Sequence, residues 1–170
     1  MDPQSALTTV AEVGIGIAGF STIAAAFASQ AQFAQRIVVW VKLRTLLVTS
    51  AAVVFFSFLP MIMFRTGLEE ATNWTICSSV YIAWIVGVRV SLFFDTDFES
   101  ADYVTSRFYG SVGMVSLLFH AYNVVAGATD WPYLAALVTG LFIASFHFFL
   151  LIRDLVRGSD PTNPEEKKDA

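Results

Sequence analysis

Five long apolar runs divide this chain, and each has about the length that a membrane-spanning helix needs. The hydrocarbon core of a bilayer is about 30 Å thick, so a spanning α-helix takes roughly 20 residues. The runs therefore predict an all-α transmembrane bundle of five helices within residues 1–157. The predicted spans are Leu7–Ser29, Thr45–Phe64, Asn73–Phe94, Arg107–Ala126 and Trp131–Ile152.

Residues between and within the spans predict how the helices are joined. Gly127 to Asp130 is a turn signal, and Pro132 with its aromatic neighbours suits the first turn of a new helix, so spans four and five are expected to form a tight hairpin. Pro60 predicts a kink near the end of span two. The amphipathic stretch 30–44 has two readings, an extension of span two or a helix along the membrane surface.

The basic residues predict an orientation, because nearly all of them fall on one side of the five-span zigzag. Arg36, Lys42 and Arg44 follow span one, Arg107 precedes span four, and four more bases follow span five, whereas Arg65 stands alone on the other side. By the positive-inside rule the N-terminus is outside and the C-terminus is cytoplasmic. Arg36, Lys42 and Arg44 either set this topology alone or also contact lipid headgroups or a protein partner at the cytoplasmic face.

Composition narrows the class of protein. The hydrophobic fraction is 56% and the mean hydropathy is +0.64, which indicates an integral membrane protein in contact with the lipid bilayer. The formal net charge of −4 gives no basic surface for nucleic acid. The single cysteine excludes an intramolecular disulfide. Residues 158–170 are polar and contain prolines, and we expect a disordered cytoplasmic tail there.

Two stripes of small and polar residues run along spans one and four at helical spacing. Thr8, Glu12, Gly19 and Thr22 share one sector of span one, and Gly16 lies just beside it. Such a stripe either lets a neighbouring helix of the same chain approach closely or forms a wall that faces a water-filled path. The second stripe, on span four, consists of Tyr109, Gly113, Ser116, His120, Asn123 and Gly127.

Depth in the membrane connects the two stripes. At 1.5 Å per residue, Glu12 lies about 8 Å inside the outer end of span one, and His120 lies about 10 Å inside the outer end of span four. An intramembrane carboxylate is costly and usually has a partner. We therefore predict an outer-half cluster of Glu12, His120 and Asn123, with Ser78 beside it. Its functional interpretation is a cation or proton site, and its structural interpretation is a buried hydrogen-bonded clasp.

No motif in the sequence supports a catalytic site or a cofactor-binding site. Gly14, Gly16 and Gly19 match the dinucleotide pattern in letters, but they lie inside a transmembrane run with no strand before them. His120 and His147 are too different in depth to hold one haem. Neither an enzyme nor a cofactor or metal site is predicted.

Several short segments resemble a family of small bacterial membrane proteins that are generally labelled hypothetical. The segments are Ala11-Glu12-Val13, Ala18-Gly19-Phe20-Ser21, Leu43-Arg44, Leu46-Leu47-Val48-Thr49-Ser50, Phe55-Phe56-Ser57-Phe58-Leu59-Pro60 and Trp131-Pro132-Tyr133-Leu134. The resemblance implies a multi-pass protein of the bacterial inner membrane and implies no activity.

Taken together, these patterns favour a small channel-like or ion-conducting protein that self-associates, because one protomer of this size could hardly enclose a wide path. The alternative is a membrane scaffold or interaction subunit of a larger complex. A proton-coupled transporter comes third, since no internal repeat or pair of broken helices is evident.

Overall fold

The structure, a computed structural model, describes residues 2–28, 33–93 and 103–158. Over these residues it consists of five long helices and short turns. The helices are α1 Pro3–Ala28, α2 Phe33–Met63, α3 Glu70–Phe93, α4 Tyr103–Tyr122 and α5 Asp130–Gly158. Each of the five is long and apolar enough to cross a membrane. The prediction of an all-α chain with five helices of spanning length is confirmed.

Two boundaries differ from the prediction by more than four residues. Helix α2 begins at Phe33, well before Thr45, so residues 33–44 of the amphipathic stretch extend α2 in line instead of forming a helix of their own. Helix α5 continues past Ile152 to Gly158, the first residue of the predicted tail. The remainder of that tail, residues 159–170, lies outside the described residues.

Helices α2 and α5 form the middle of the bundle. Helix α1 packs on both of them from one side, while α3 and α4 pack on each other and on the other side of the central pair. Leu7 and Val10 near the start of α1 share a core with Trp74 near the start of α3 and Tyr133 near the start of α5. We call this end of the bundle, which also carries the α2–α3 and α4–α5 connections, the first end, and the opposite end the second end.

The core is aromatic toward the first end and aliphatic toward the second. The rings of Phe56 and Tyr81 lie 4.4 Å apart, and those of Trp74 and Tyr133 lie 5.5 Å apart. Large rings bury much apolar surface and gain additional energy from tilted and edge contacts. The second cluster consists of Ala24, Leu43, Leu46, Ala144 and Leu151.

Two glycines set the separation between α2 and its neighbours. A Cβ atom on Gly14 of α1 would lie 2.9 Å from Cγ2 of Val54, and one on Gly140 of α5 would lie 2.8 Å from Cγ2 of Val53. Both distances are shorter than real carbon contacts, so these two positions hold glycine because the helices touch there.

The connection between α4 and α5 is the tight hairpin that the sequence predicts. Helix α4 ends in a π-helical turn, Asn123–Gly127, in which the N–H of Ala128 donates to the carbonyl of Asn123 at 2.9 Å. Gly127 has a φ of +152°, a conformation that side chains rarely adopt, and α5 begins at Asp130. Helix α5 therefore returns directly alongside α4.

Candidate functional site

The polar stripe of α4 faces the inside of the bundle. Ser116, His120 and Asn123 are all buried, and their partners come from α3 and α5. The side chain of Tyr109, which the sequence assigns to the same stripe, lies outside the described residues. One face of α4 thus brings three polar side chains into a core that is otherwise largely aromatic.

Asn123 joins three parts of the chain. Its Nδ2 donates to Oγ of Ser78 on α3 at 3.0 Å, and its Oδ1 accepts from the N–H of Thr129 at 2.7 Å. The second contact satisfies a backbone donor in the α4–α5 connection, and the first crosses to the neighbouring helix. The structure therefore brings Asn123 and Ser78 together, as two members of the predicted cluster.

His120 lies between two tyrosine rings. Its imidazole stacks on Tyr81 of α3 at 4.1 Å between centroids and 29° between planes, and it meets Tyr133 of α5 at 5.2 Å and 78°. The side chain is fully buried, and neither ring nitrogen has a hydrogen-bond partner among the described residues. Ring contacts with the two tyrosines therefore position the imidazole, while its Nδ1 and Nε2 atoms have no hydrogen-bond partner among the described residues.

The polar contacts continue one turn along α4 toward the second end. Ser116 donates through Oγ to the carbonyl of Ala136 on α5 at 3.3 Å and also forms a side-chain hydrogen bond with Tyr81. One turn further, a Cβ on Gly113 would lie 3.1 Å from a guanidinium nitrogen of Arg89. We call the buried set of Ser78, Tyr81, Ser116, His120 and Asn123 the α4 track.

Tyr133 satisfies a carbonyl that Pro60 leaves without a donor. In an α-helix the carbonyl of residue 56 would accept from the N–H of residue 60, and proline has none. The hydroxyl of Tyr133 donates to this carbonyl of Phe56 at 2.7 Å. The sequence predicts a kink at Pro60 but does not predict that Tyr133 contacts α2 there. The signal that could have found it is a buried tyrosine at the depth of the unpaired carbonyl.

Glu12 does not belong to this site. Helix α1 packs on α2 and α5 through its opposite face, and the Glu12 side chain is exposed on the outside of the protomer. Since both nitrogens of His120 lack a partner, the prediction that Glu12 pairs with His120 within one chain is wrong. Helical periodicity correctly places Glu12 among small residues, but it does not specify which direction their shared face points.

The glycines beside Glu12 also point outward. A Cβ on Gly16 or Gly19 would have nothing within 4 Å, so neither glycine brings α1 close to another helix of the chain. Gly14, on the buried side of α1, is the glycine that lets α1 approach α2 closely. Thr22 is exposed on the same side as Glu12, and Thr8 is half-buried at its edge. We call the exposed set of Glu12, Gly16, Gly19 and Thr22 the α1 outer face.

The three bases predicted to contact lipid or a partner differ in their surroundings. Arg44 is exposed, whereas Lys42 is buried and lies near enough to His147 of α5 to interact with it electrostatically. The side chain of Arg36 lies outside the described residues. Of the two whose side chains the structure describes, Arg44 is the one on the surface.

Acidic side chains gather at the first end. Glu69, Glu70 and Asp130 line an open groove between the α2–α3 and α4–α5 connections, with Thr129 on the same wall. One oxygen of Glu70 accepts a hydrogen bond from the indole N–H of Trp74 at 3.3 Å. Within the described ranges, no three His, Cys, Asp or Glu side chains are grouped closely enough to hold a metal ion.

Comparison of the chain with protein-family models, with curated proteins and with solved structures finds no match. The resemblance to small bacterial membrane proteins therefore stays a prediction, and the functional argument rests on the two polar regions described above.

Proposed function

We propose that this protein is an integral membrane protein that conducts ions as a homo-oligomer, with the α1 outer face at the subunit interface. The observation that carries the proposal is the position of Glu12. It is exposed near the middle of a helix long and apolar enough to span a membrane, about 14 Å from the first residue of α1 at 1.5 Å per residue.

An exposed carboxylate at the depth of Glu12 costs free energy, and this cost favours an assembly in which the α1 outer face is not in contact with lipid. A carboxylate near the centre of a spanning helix costs about 2.5–3.5 kcal/mol on insertion scales, and such groups usually face a bundle interior or a water-filled cavity. A single protomer offers Glu12 neither, because α2 and α5 contact the opposite side of α1. Assembly of several copies around α1 supplies both an interior and water.

The shape of the face suits a second copy of the same helix. Gly16 and Gly19 flank Glu12 without side chains, and small residues allow the backbones of spanning helices to approach closely. A closed ring repeats one interface around an axis. A ring built on α1 would place one Glu12 from each subunit at the same depth, as a ring of carboxylates does in cation channels.

The hydroxyls on α1 add oxygen ligands to this path. Thr8 donates to the carbonyl of Gln4 at 2.9 Å, and Thr22 donates to the carbonyl of Ala18 at 3.4 Å. Because their protons are used within the helix, the oxygen lone pairs remain to accept. Oxygen acceptors above and below a carboxylate favour a cation over an anion.

The proposal also includes a location and an orientation. The distribution of Lys and Arg supports an N-terminus on the outside and a cytoplasmic C-terminus. The resemblance of several segments to small bacterial membrane proteins supports the inner membrane of a bacterium.

Subunit number and cation flux test the proposal together. In native mass spectrometry from mild detergent we expect a closed ring of about four or more subunits. In vesicles with a potassium gradient, wild-type protein is expected to conduct, while Glu12→Gln should keep the subunit number and lower both the flux and its preference for cations. Glu69→Gln, an exposed change at the first end, is the matched control. A monomer or dimer would overturn the homomeric path and favour a scaffold that uses the same face for a different membrane protein.

A further inference from the structure

The α4 track is a second polar region, separate from the α1 outer face. We propose that it transfers protons within a single protomer, with His120 as the group that receives and releases them. The proposal adds an activity to the one above and does not depend on it, because all its members lie on α3 and α4 of one chain.

The members of the track have the chemistry that proton transfer requires. The hydroxyls of Ser78, Tyr81 and Ser116 and the imidazole of His120 can each both donate and accept a hydrogen bond. Asn123 donates to Oγ of Ser78, which leaves the hydroxyl proton of Ser78 available to another acceptor. Ser116 and Tyr81 are hydrogen-bonded to each other one helical turn deeper. Hydroxyl groups that can relay a proton therefore flank His120 toward both ends of the bundle.

The unpaired nitrogens of His120 are the reason for assigning it as the group that receives and releases protons. A fully buried polar atom without a partner is uncommon in folded proteins, and such atoms usually pair with ordered water or serve a functional role. Intramembrane histidines in particular occur in proton relays. Both nitrogens of one ring are unpaired here, so a proton can approach one of them and leave from the other.

The transfer itself changes no bond other than those to protons. A neutral imidazole carries one N–H and one lone pair. A hydrated proton adds to the lone pair of one nitrogen and gives the imidazolium, and the N–H of the other nitrogen then releases its proton to a water or hydroxyl oxygen. The ring returns to the neutral form as the opposite tautomer, and a half-turn rotation about its Cβ–Cγ bond exchanges the places of the two nitrogens and resets it for the next proton.

The packing around the ring favours protons over metal ions. Tyr81 stacks on one face of the imidazole and Tyr133 meets it edge to face, and within the described ranges no three His, Cys, Asp or Glu side chains are grouped closely enough to hold a metal ion. The two rings that contact the imidazole, Tyr81 and Tyr133, and the polar residues one turn away on the same face of α4, Ser116 and Asn123, carry no formal charge at neutral pH. A transient imidazolium is therefore expected to pass its proton on rather than be held by a counter-ion.

Proton flux into vesicles tests the proposal. Full-length protein is reconstituted with a pH-sensitive dye inside, and a potassium gradient with valinomycin drives protons inward. We expect His120→Phe, which keeps an aromatic ring between the tyrosines, to reduce proton flux about tenfold or more. Ser116→Ala should reduce it less, and Ser79→Ala, an exposed serine on α3, should leave it unchanged.

Two results would overturn the proposal. One is a wild-type proton flux no higher than that of protein-free vesicles, and the other is an unchanged flux in both His120→Phe and Ser116→Ala. Thermal unfolding of each variant identifies a loss that comes from misfolding, and Ser116→Ala keeps the test decisive if His120→Phe does not fold. Alkali-cation flux, measured on the same vesicles, is a separate readout, so failure here is distinguishable from failure of the α1 path.

Discussion

At the scale of single residues, the contact between Tyr133 and Phe56 shows how a helix defect is repaired by a distant side chain. Pro60 removes the donor that the carbonyl of Phe56 would use within α2. Tyr133 supplies a replacement from 77 positions along the chain. An unpaired buried carbonyl is costly, so the proline and the tyrosine are energetically dependent on each other.

Tyr133→Phe should therefore destabilise the protein by about 1–3 kcal/mol, because it leaves the Phe56 carbonyl buried and unpaired. In a Pro60→Ala background the backbone N–H of residue 60 becomes available, and the same tyrosine change should cost less. The measurement is a double-mutant cycle by reversible unfolding in mixed micelles. Equal costs in the two backgrounds would show that the two residues are independent.

Asn123 gives a second prediction at this scale. Asn123→Ala removes the hydrogen bond to Ser78 and the acceptor for the Thr129 N–H, and we expect a loss of about 1–3 kcal/mol in the free energy of unfolding. Ser78→Ala should cost less, since one buried amide donor loses its partner. Ser79→Ala is the matched control, because Ser79 is exposed and bonds within its own helix. A Ser79 variant as unstable as the Ser78 variant would contradict the assignment.

At the scale of elements, α1 has two faces that use glycine differently. On its buried face Gly14 lets α1 touch α2, and Gly140 does the same for α5. On its outer face Gly16 and Gly19 touch nothing within the protomer. The residue type is the same, but a methyl group added on the buried face meets a valine, whereas one added on the outer face meets open space.

Alanine substitution separates these roles. Gly14→Ala and Gly140→Ala should each destabilise the protomer by about 1–3 kcal/mol, because valine in a helix has one preferred rotamer and its methyl cannot easily move away. Gly16→Ala should leave the protomer as stable or more so by up to about 1 kcal/mol, the gain in helix propensity. Unfolding of each variant in detergent gives the comparison. Restored stability on combining Gly140→Ala with Val53→Ala would identify the clash as the cause.

At the scale of the whole molecule, each of the five described helices keeps an open outer side, and on α1 that side carries a carboxylate. The described residues place Glu12 in that open region, whereas the α4 track is enclosed by α3 and α5. The molecule therefore has two separate polar regions. One is the α1 outer face, which another copy can cover, and the other is the α4 track, which lies inside one chain.

Cross-linking in membranes distinguishes the two outward surfaces of this arrangement. In a Cys77→Ala background, Gly19→Cys on the α1 outer face should form disulfide-linked dimers on mild oxidation, because a disulfide needs Cβ atoms about 4 Å apart. Leu118→Cys, on the exposed side of α4, should not. Cross-linking at Leu118 and not at Gly19 would place the subunit interface on α4 and contradict the proposed ring.

The sequence predicts most of the fold and part of the candidate site. Span lengths, the α4–α5 hairpin and the shared face of Ser116, His120 and Asn123 follow from hydrophobic length, turn residues and helical period, which are local properties. Periodicity does not fix which neighbour a face meets, and for this reason Glu12 was expected beside His120. The tyrosines around His120 depend on helix order in the bundle, which the spacing of residues along one helix does not contain.

The bond between Tyr133 and Phe56 also bears on how the chain is made. Ribosomes synthesise α2 before α5, so the carbonyl that Pro60 exposes has no tyrosine to meet until α5 has been made. Helix α1 likewise lacks one of its two packing partners until α5 has been made. Nascent chains that stall before α5 would thus present an unpaired backbone carbonyl and a partly uncovered α1, two features that the complete bundle does not have.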